Sequence, residues 1–345
     1  MRAYRLRGWG QGAGFDQVPV PEPGPGAVLL RVEAVGLCQS DLHLIDAPVG
    51  GRPYPAPFTL GHEIAGAVVA IGSGVSGLEI GEHALVYGPT GCGRCSRCRD
   101  GSPNYCDRPD PSAPLALGIG RDGGMAEYVL VPSAEHVIPI GELDPALAAP
   151  LADAALTPYH CIAALPDAVR AEAHVAVIGV GGLGHLAVQI LEAIGASTVI
   201  AIDMKREAVE LALAKGAEHG VVPDADAPRR IRATTGGVGC DVVLDFVGSD
   251  DTLALGADVL RVGGTLVVVG SAGGTLAVRK GSTVPRGVRI WHPFWGTLDD
   301  LRSVVELAQR GALGVETEPM PLDDVADAIG RLRAGAVHGR ITLLP

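Results

Sequence analysis

Three features of the sequence predict an α/β protein, with a β-rich part followed by a parallel, doubly wound sheet. Short runs of Val, Ile, Leu and Ala between Gly and Pro clusters dominate the first half. From about residue 154, strand and helix patterns alternate, which is typical of βαβ units. A glycine-rich loop joins the first strand and helix of this alternating region.

Length and composition indicate about two globular domains. The chain has 345 residues, of which 47% are hydrophobic, and this is enough for two buried cores. The formal net charge of −12, without a Lys/Arg cluster, predicts no nucleic-acid partner and mildly disfavours anionic substrates. Apolar runs fall well short of the roughly 20 residues of a membrane span, so no membrane partner is predicted. Seven cysteines without an apolar amino-terminal signal predict a cytoplasmic protein.

The first half contains two clear strand patterns. Residues 27–35 and 64–71 are mostly Val, Ile, Leu and Ala, bounded by Gly and Pro clusters. Residues 21–26 form a turn-rich entry to the first of them. Gly72-Ser-Gly74 joins two apolar stretches, so this GxG is predicted to be a tight turn rather than a phosphate loop.

The second half alternates between the two periodicities. The predicted strands are 174–178, 198–202, 241–246 and 265–270, and the predicted helices are 182–194, 206–215 and 252–260. Apolar residues with helical spacing give the first helix one buried face: Leu183, Leu186, Ala187, Ile190, Leu191 and Ile194. After about residue 295 come two helices, 301–309 and 325–333, and a final strand, 340–344. Periodicity does not decide whether this tail rejoins the first part.

A G-x-G-x-x-G loop lies between the first strand and helix of the second half. Its glycines are Gly179, Gly181 and Gly184, which permit a tight turn, a close approach of pyrophosphate and close helix packing. Asp203 closes the next strand, where a carboxylate binds ribose hydroxyls and repels a 2′-phosphate, so NAD is predicted over NADP. Lys205 follows closely and could soften this preference. The alternative is a glycine turn with a helix-capping aspartate.

A cysteine cluster lies in a Gly/Arg-rich stretch of the first half. Its members are Cys92, Cys95, Cys98 and Cys106. Four thiolates in one short loop are the ligand set of a closed, tetrahedral structural zinc site. A pair of disulfides or a redox dithiol are the alternatives, and the absence of a secretory signal disfavours both.

A second set of metal donors is spread along the chain. Cys38, His62 and Asp153 would supply a thiolate, an imidazole and a carboxylate, leaving a fourth position of a catalytic zinc open. Spacing alone leaves two alternatives open, a buried small hydrophobic cysteine and a core histidine.

The order of these motifs resembles the zinc-dependent alcohol dehydrogenases of the medium-chain dehydrogenase/reductase family. The motifs are Gly36-Leu-Cys38-Gln-Ser40-Asp41, Gly61-His62-Glu63, the four-cysteine loop, and the glycine loop with Asp203. Residues 156–160 and 294–296 resemble the bacterial NAD-dependent secondary alcohol dehydrogenases. The resemblance implies a GroES-like catalytic domain over 1–153 that holds both zincs, a Rossmann domain over 154–294 and a tail over 295–345 that returns to the catalytic domain. It also implies a homodimer or homotetramer.

The resemblance assigns roles residue by residue. Cys38, His62 and Asp153 are implied to be ligands of the catalytic zinc, although Asp153 departs from the family's Cys₂His set. Glu63 matches a carboxylate near the metal. Ser40 and His43 match a relay that conducts the alcohol's proton through the nicotinamide ribose to the surface. The implied cofactor contacts are Thr157, Gly179, Gly181, Gly182, Leu183, Gly184, Asp203, Lys205, Val269 and Arg340, and the candidate pocket walls are Tyr54 and Trp295.

The implied reaction is the reversible oxidation of a small-molecule alcohol, secondary or aryl, to a ketone or aldehyde with NAD. A polyol or aldehyde-forming dehydrogenase of the same family is one alternative. A non-catalytic NAD(H)-binding zinc protein is an alternative of another class, because folds acquire and lose function through their sites.

Overall fold

The computed structural model describes residues 1–51, 54–108, 116–165, 173–196, 198–281 and 283–345. The chain divides into two compact units, Thr157–Phe294 and the remainder, Met1–Leu156 with Trp295–Pro345. Among the described residues, no helix combines the length and the apolar character needed to cross a bilayer.

The first unit is rich in short strands. Before residue 157 its strands are β1 Arg2–Leu6, β2 Ala13–Gln17, β3 Val28–Leu37, β4 Phe58–Thr59, β5 Glu63–Ile71, β6 His83–Val86, β7 Ala116–Leu117, β8 Gly120–Arg121, β9 Tyr128–Val131 and β10 Val137–Pro139. Its helices there are α1 Gln39–Ile45, α2 Ser96–Arg99 and α3 Pro145–Ala148, with 3-10 turns at Pro103–Tyr105, Ala134–His136 and Ala149–Ala152.

The second unit alternates strands and helices. Its elements are α4 Leu156–Ala163, β11 His174–Ile178, α5 Gly184–Ala193, β12 Thr198–Ile202, α6 Arg206–Ala214, β13 His219–Val221, α7 Ala227–Thr234, β14 Cys240–Asp245, α8 Asp250–Val259, β15 Leu260–Val268 and β16 Arg289–Trp291. The tail of the first unit then adds α9 Leu298–Gln309, β17 Thr317–Pro321, a 3-10 turn Leu322–Asp324, α10 Val325–Arg333 and β18 Arg340–Leu344.

A seven-stranded sheet forms the centre of the first unit, in the order β10-β6-β5-β3-β18-β17, with β9 also paired to β3. The tail strand β18 runs antiparallel to β3 in the register Ile341↔Leu37 and Thr342↔Gly36. Apolar side chains of β3, β5 and β18 form the buried core, which includes Leu30, Ile64 and Leu343. The loops that carry the candidate metal donors therefore start from a well-packed sheet.

The second unit contains a six-stranded parallel sheet in the order β13-β12-β11-β14-β15-β16. The chain reverses its direction of travel across the sheet between β13 and β14, so β11 lies beside the topological switch point. Ligands of such sheets bind outside the carboxyl ends of the strands at that point. The predicted doubly wound sheet is confirmed.

Several element boundaries differ from the sequence predictions. Strand β15 begins at Leu260 and not at 265, because the chain passes directly from α8 into the strand. Helix α7 was not predicted, since it is short and only Ala227 and Ile231 are buried. The predicted turn at Gly72-Ser-Gly74 is confirmed, with Gly74 in the left-handed region at φ +83°.

Candidate active site and metal centres

The dispersed donors converge in the first unit. Cys38 follows β3 at the start of α1, His62 precedes β5, and Asp153 follows the 3-10 turn Ala149–Ala152. One ligand atom from each of these residues, and one from Glu63, lie within 4.8 Å of one another. Asp153 Oδ2 lies 3.8 Å from Cys38 Sγ and 3.6 Å from His62 Nε2.

These distances are those of ligands around a common ion. A tetrahedral zinc with bonds of about 2.0 to 2.3 Å holds its ligand atoms roughly 3.5 Å apart. Burial alone would raise the pKa of the Cys38 thiol, but Arg340 and His62 outweigh it and lower that pKa. A thiolate, an imidazole and a carboxylate in a buried cluster therefore fit zinc.

Asp41 supports this cluster and was missed as a site residue. Its buried carboxylate accepts hydrogen bonds from the backbone N–H groups of Cys38, at 3.0 Å, and Gly61, at 3.3 Å. Its Oδ1 lies 3.6 Å from His62 Nδ1, the ring nitrogen remote from Asp153. Burial opposes protonation of His62, but Asp41 first and Asp153 next outweigh it and raise the pKa of that imidazole. A carboxylate behind a ligating histidine fixes its tautomer and ring orientation.

The signal for Asp41 was present in the sequence. Residues 38 to 41 form a capping box, in which the side chain three residues into α1 binds the N–H of the cap residue. The spacing could have identified the carboxylate, but only the fold shows that the same carboxylate also holds the loop before His62.

Glu63 and Arg340 form a buried ion pair beside the donors. Glu63 lies opposite Gly36 in the sheet register, and a Cβ at Gly36 would come within 1.9 Å of Glu63 Oε2. Glycine at that position therefore gives the carboxylate its space. The structure places Arg340 against Glu63 with 5% exposure, and its predicted pyrophosphate contact stays a prediction.

The two relay candidates differ in burial. Ser40 is half-buried, with Oγ 3.7 Å from Cys38 Sγ. His43 lies on α1 with its side chain exposed. The structure therefore brings Ser40 to the donor cluster and His43 to the surface of the first unit.

The candidate pocket walls lie in different surroundings. Trp295 is 5% exposed and packs against the His62 ring in a T-shaped arrangement, with centroids 5.5 Å apart. Tyr54 is half-buried and packs against Trp9, with centroids 6.0 Å apart. The structure brings Trp295 to the metal donors and places Tyr54 in an aromatic group with Trp9.

The four-cysteine loop forms a second cluster in the same unit. One Sγ from each cysteine lies within 4.8 Å of the others, and all four are free thiols. Cys95 Sγ is 3.4 Å from Cys98 Sγ and 3.9 Å from Cys106 Sγ, far beyond a disulfide bond of about 2.05 Å. Hydrogen bonds from the N–H groups of Arg94 and Cys95 lower the pKa of Cys92 to about 6. The set fits a closed Cys₄ zinc site.

The glycine loop of the second unit has the geometry that dinucleotide binding requires. Gly179 directly follows β11 at φ +82°, and a Cβ on Gly184 would come within 2.1 Å of the Gly179 carbonyl oxygen. A Cβ on Gly181 would meet nothing within 4 Å, so that backbone is open to a ligand. Gly182 and Leu183 complete the loop, and Leu183 directly precedes α5.

Other predicted cofactor contacts also lie in the second unit. Asp203 follows β12, and its Oδ1 accepts the N–H of Lys205 at 2.9 Å, which fixes the turn. Val269 follows β15 and donates its N–H to the Asp245 carbonyl at 2.8 Å. Thr157 is buried in α4. Asp203, Val269 and the glycine loop thus share the carboxyl edge of one parallel sheet.

Comparisons with known proteins agree with this arrangement. Residues 24–142 match the alcohol dehydrogenase GroES-like domain, and residues 182–310 match the zinc-binding dehydrogenase domain. An NAD-dependent alcohol dehydrogenase of Sulfurisphaera tokodaii is 33% identical, over 100% of both chains. The crystal structure of the alcohol dehydrogenase of Aeropyrum pernix superposes with a TM-score of 0.89 at 33% identity, covering 100% of both chains.

A third relative is the acetophenone reductase of Geotrichum candidum, solved with NAD. It is 32% identical, with a TM-score of 0.86, covering 99% of this chain and 97% of that one. Each half of the chain thus matches a domain of one enzyme family, and full-length relatives match both halves together. The chain belongs to the zinc-dependent alcohol dehydrogenases of the medium-chain dehydrogenase/reductase family.

Proposed function

We propose that this protein transfers hydride reversibly between a secondary or aryl alcohol and NAD, giving a ketone or aldehyde. The observation that carries the proposal is the convergence of Cys38, His62 and Asp153 on one buried point. An acetophenone reductase among the relatives acts on an aryl ketone, whose reduction product is a secondary alcohol. This supports secondary and aryl alcohols as substrates.

Cys38, His62 and Asp153 are the residues that would hold the catalytic zinc. When bound, zinc supplies Lewis acidity that makes an alcohol hydroxyl acidic near neutral pH. Asp41 orients His62, and the Glu63–Arg340 pair places compensating charges beside the cluster. The four-cysteine loop would hold a second, structural zinc with all positions filled.

Ser40 and His43 would carry the substrate proton to solvent. Ser40 Oγ is the hydroxyl close to the donor cluster, and the exposed His43 imidazole would pass the proton on to water. Replacement of His43 by Ala is expected to lower the rate at pH 6 to 7, with Ser40→Ala lowering it at every pH. Unaltered pH–rate profiles in His43→Ala would remove this residue from the relay.

The second unit would bind NAD through its glycine loop and Asp203. The carboxylate of Asp203 would accept hydrogen bonds from the adenosine ribose, while Thr157, Leu183 and Val269 would contact the nicotinamide. Asp203→Ser tests the cofactor preference: the kcat/KM ratio for NAD over NADP should fall, because repulsion of the 2′-phosphate is lost. The exposed Glu207 on α6 provides the control Glu207→Ser, which removes a nearby negative charge.

Trp295 would be a wall of the alcohol site, because it packs against the ligand His62. Tyr54 is the weaker candidate, since it packs against Trp9. Trp295 substitutions should therefore change the order of preference among alcohols, and Tyr54→Phe should leave it unchanged.

A homo-oligomer is part of the proposal. Strand β16 pairs only with β15 among the described strands, and Ile290 on it is 47% exposed. An apolar edge strand offers backbone groups to a second copy. Light scattering on the purified protein should give the mass of a dimer or tetramer, and Ile290→Lys should shift it toward the monomer.

We also propose a cytoplasmic location, which the same metal chemistry supports. Thiolates hold zinc only while they stay reduced, which the cytoplasm ensures. Cell fractionation tests this location.

The decisive test combines turnover with metal content. A panel of primary, secondary, aryl and polyhydroxy alcohols is assayed with NAD and with NADP, and zinc is counted by mass spectrometry. Turnover of secondary or aryl alcohols with about two zincs per chain supports the proposal. About one zinc per chain and no turnover would instead support a non-catalytic NAD(H)-binding zinc protein, and preferred turnover of polyols would refute the substrate class.

A further inference from the structure

Trp295 has an unusual backbone conformation. It is the one residue other than glycine with positive φ, at +55°, in the part of the chain that the structure describes. A bulky residue in the left-handed region is strained, and such strain persists only where surrounding contacts determine it.

Three contacts hold this residue in place. The indole Nε1 donates a buried hydrogen bond of 2.8 Å to the carbonyl oxygen of Ala152. The ring lies on Gly88, where a Cβ would come within 2.5 Å of the Trp295 Cζ2 atom. The next residue, Gly296, accepts a buried hydrogen bond of 2.7 Å from the Tyr87 hydroxyl.

These contacts lead to two candidate metal ligands. Ala152 ends a 3-10 turn, and Asp153 leaves it with φ −139° and ψ −54°, so the Ala152–Asp153 peptide sets the direction of the Asp153 side chain. The indole and the His62 imidazole meet in a T-shaped arrangement at an interplanar angle of 78°. Trp295 thus touches one ligand and holds the peptide that precedes another.

We propose that Trp295 is a positioning residue for the catalytic metal: its N–H orients Asp153 through the Ala152 carbonyl, and its ring orients His62. This inference rests on the proposed function, since it takes Cys38, His62 and Asp153 as the ligands. A pocket wall would need only the shape of the ring, whereas this role requires the N–H group as well.

Cobalt binding measures the role directly. The catalytic site is emptied, refilled with Co²⁺ while the structural zinc is retained, and titrated by the cobalt absorption bands, which report ligand geometry. Trp295→Phe keeps an aromatic ring and removes the N–H. This substitution should weaken cobalt affinity about tenfold, as substitutions of residues that support metal ligands do. It should also shift the absorption bands at saturation.

Trp9→Phe is the matched control. Trp9 lies in the same unit and also donates Nε1 to a backbone carbonyl, that of Tyr54, at 3.0 Å. Its loss should leave cobalt affinity and spectrum unchanged. Equal changes in both variants would mean a general loss of stability and would overturn the proposal.

An isostere covers the case in which Trp295→Phe does not fold. Benzothienylalanine, incorporated in place of tryptophan in a Trp9→Phe/Trp291→Phe background, replaces only the indole N–H by sulfur. Weaker cobalt binding and shifted bands again support the role of the N–H, and wild-type behaviour overturns it. If the wild-type protein itself binds no cobalt at this site, the proposed function fails, a result distinct from unchanged binding in the variants.

Discussion

The four-cysteine site and the Cys38 site differ in how far apart their donors lie along the chain. All donors of the first lie between Cys92 and Cys106, whereas Cys38 and Asp153 are 115 residues apart. The first loop can gather its own thiolates, since loop closure over a few residues costs little entropy. The donors of the second site meet only when β3, β5 and the 3-10 turn Ala149–Ala152 have packed together.

The two sites also differ in chemistry. Four thiolates would fill the coordination of one zinc, so the cysteine loop would stabilise the fold and leave no position for substrate. Three unlike donors would leave a position open for a reactant. On this proposal, removing a ligand of the first site lowers stability, and removing a ligand of the second lowers activity.

The largest expected effect is on activity, from Cys38→Ser. A Lewis acid contributes several kcal/mol to catalysis, so kcat/KM should fall about 10³-fold. Zinc content should fall to about one per chain, while the melting temperature changes little. Cys240→Ser is the control, because Cys240 is a fully buried thiol on β14 outside both clusters. Activity retained in Cys38→Ser would contradict a catalytic metal at this point.

The second effect is on stability, from Cys95→Ser. Cys95 is the most buried thiol of its cluster, and loss of a structural metal belongs to the mechanisms that cost about 4 kcal/mol or more. Thermal denaturation with and without a chelator measures it: the chelator should lower the melting temperature of the wild type and not that of the variant. Cys161→Ser, at a buried thiol of α4, should behave as the wild type. A wild type insensitive to the chelator would show that this loop does not hold a stabilising metal.

The difference in chain separation explains what the sequence could predict. The cysteine loop and the glycine loop are local patterns, in which the spacing of the residues determines the geometry. In the structure the four thiols lie together and the glycine loop turns at Gly179, as expected. The donors Cys38, His62 and Asp153 needed a family resemblance, because no local pattern joins residues so far apart. The second contact of Asp41, to Gly61, and the burial of Arg340 against Glu63 depend on strand register between distant segments. Periodicity does not specify that register.

A third, smaller effect concerns Asp41, whose carboxylate faces His62 at the Cys38 site. Asp41→Asn keeps the size of the side chain and removes the charge that faces His62 Nδ1. Zinc affinity at the Cys38 site should fall about tenfold, which is the lower end of the range for residues that hold a metal ligand in place. The affinity of the four-cysteine site should stay the same. Competition with a coloured chelator resolves the two zincs. Asp46→Asn changes an exposed carboxylate just after the same helix and should have no effect. Equal weakening of both zincs would show that Asp41 acts on folding alone.

The smallest expected effect comes from giving the Cys38 site a second thiolate, which makes its donors more similar to those of the cysteine loop. Asp153→Cys keeps the negative charge and replaces an oxygen by a softer sulfur, which zinc binds well. The cysteine side chain is shorter, but the Zn–S bond, about 2.3 Å against about 2.0 Å for Zn–O, offsets part of the difference. We expect zinc at the Cys38 site to bind up to about tenfold more tightly, so that the two phases of zinc release to a chelator move closer together.

Asp153→Asn is the matched control, because it keeps the shape and loses the charge, and it should separate the phases further. If Asp153→Cys weakens zinc as much as Asp153→Asn does, the carboxylate is required for its geometry, and ligand softness does not explain the difference between the sites.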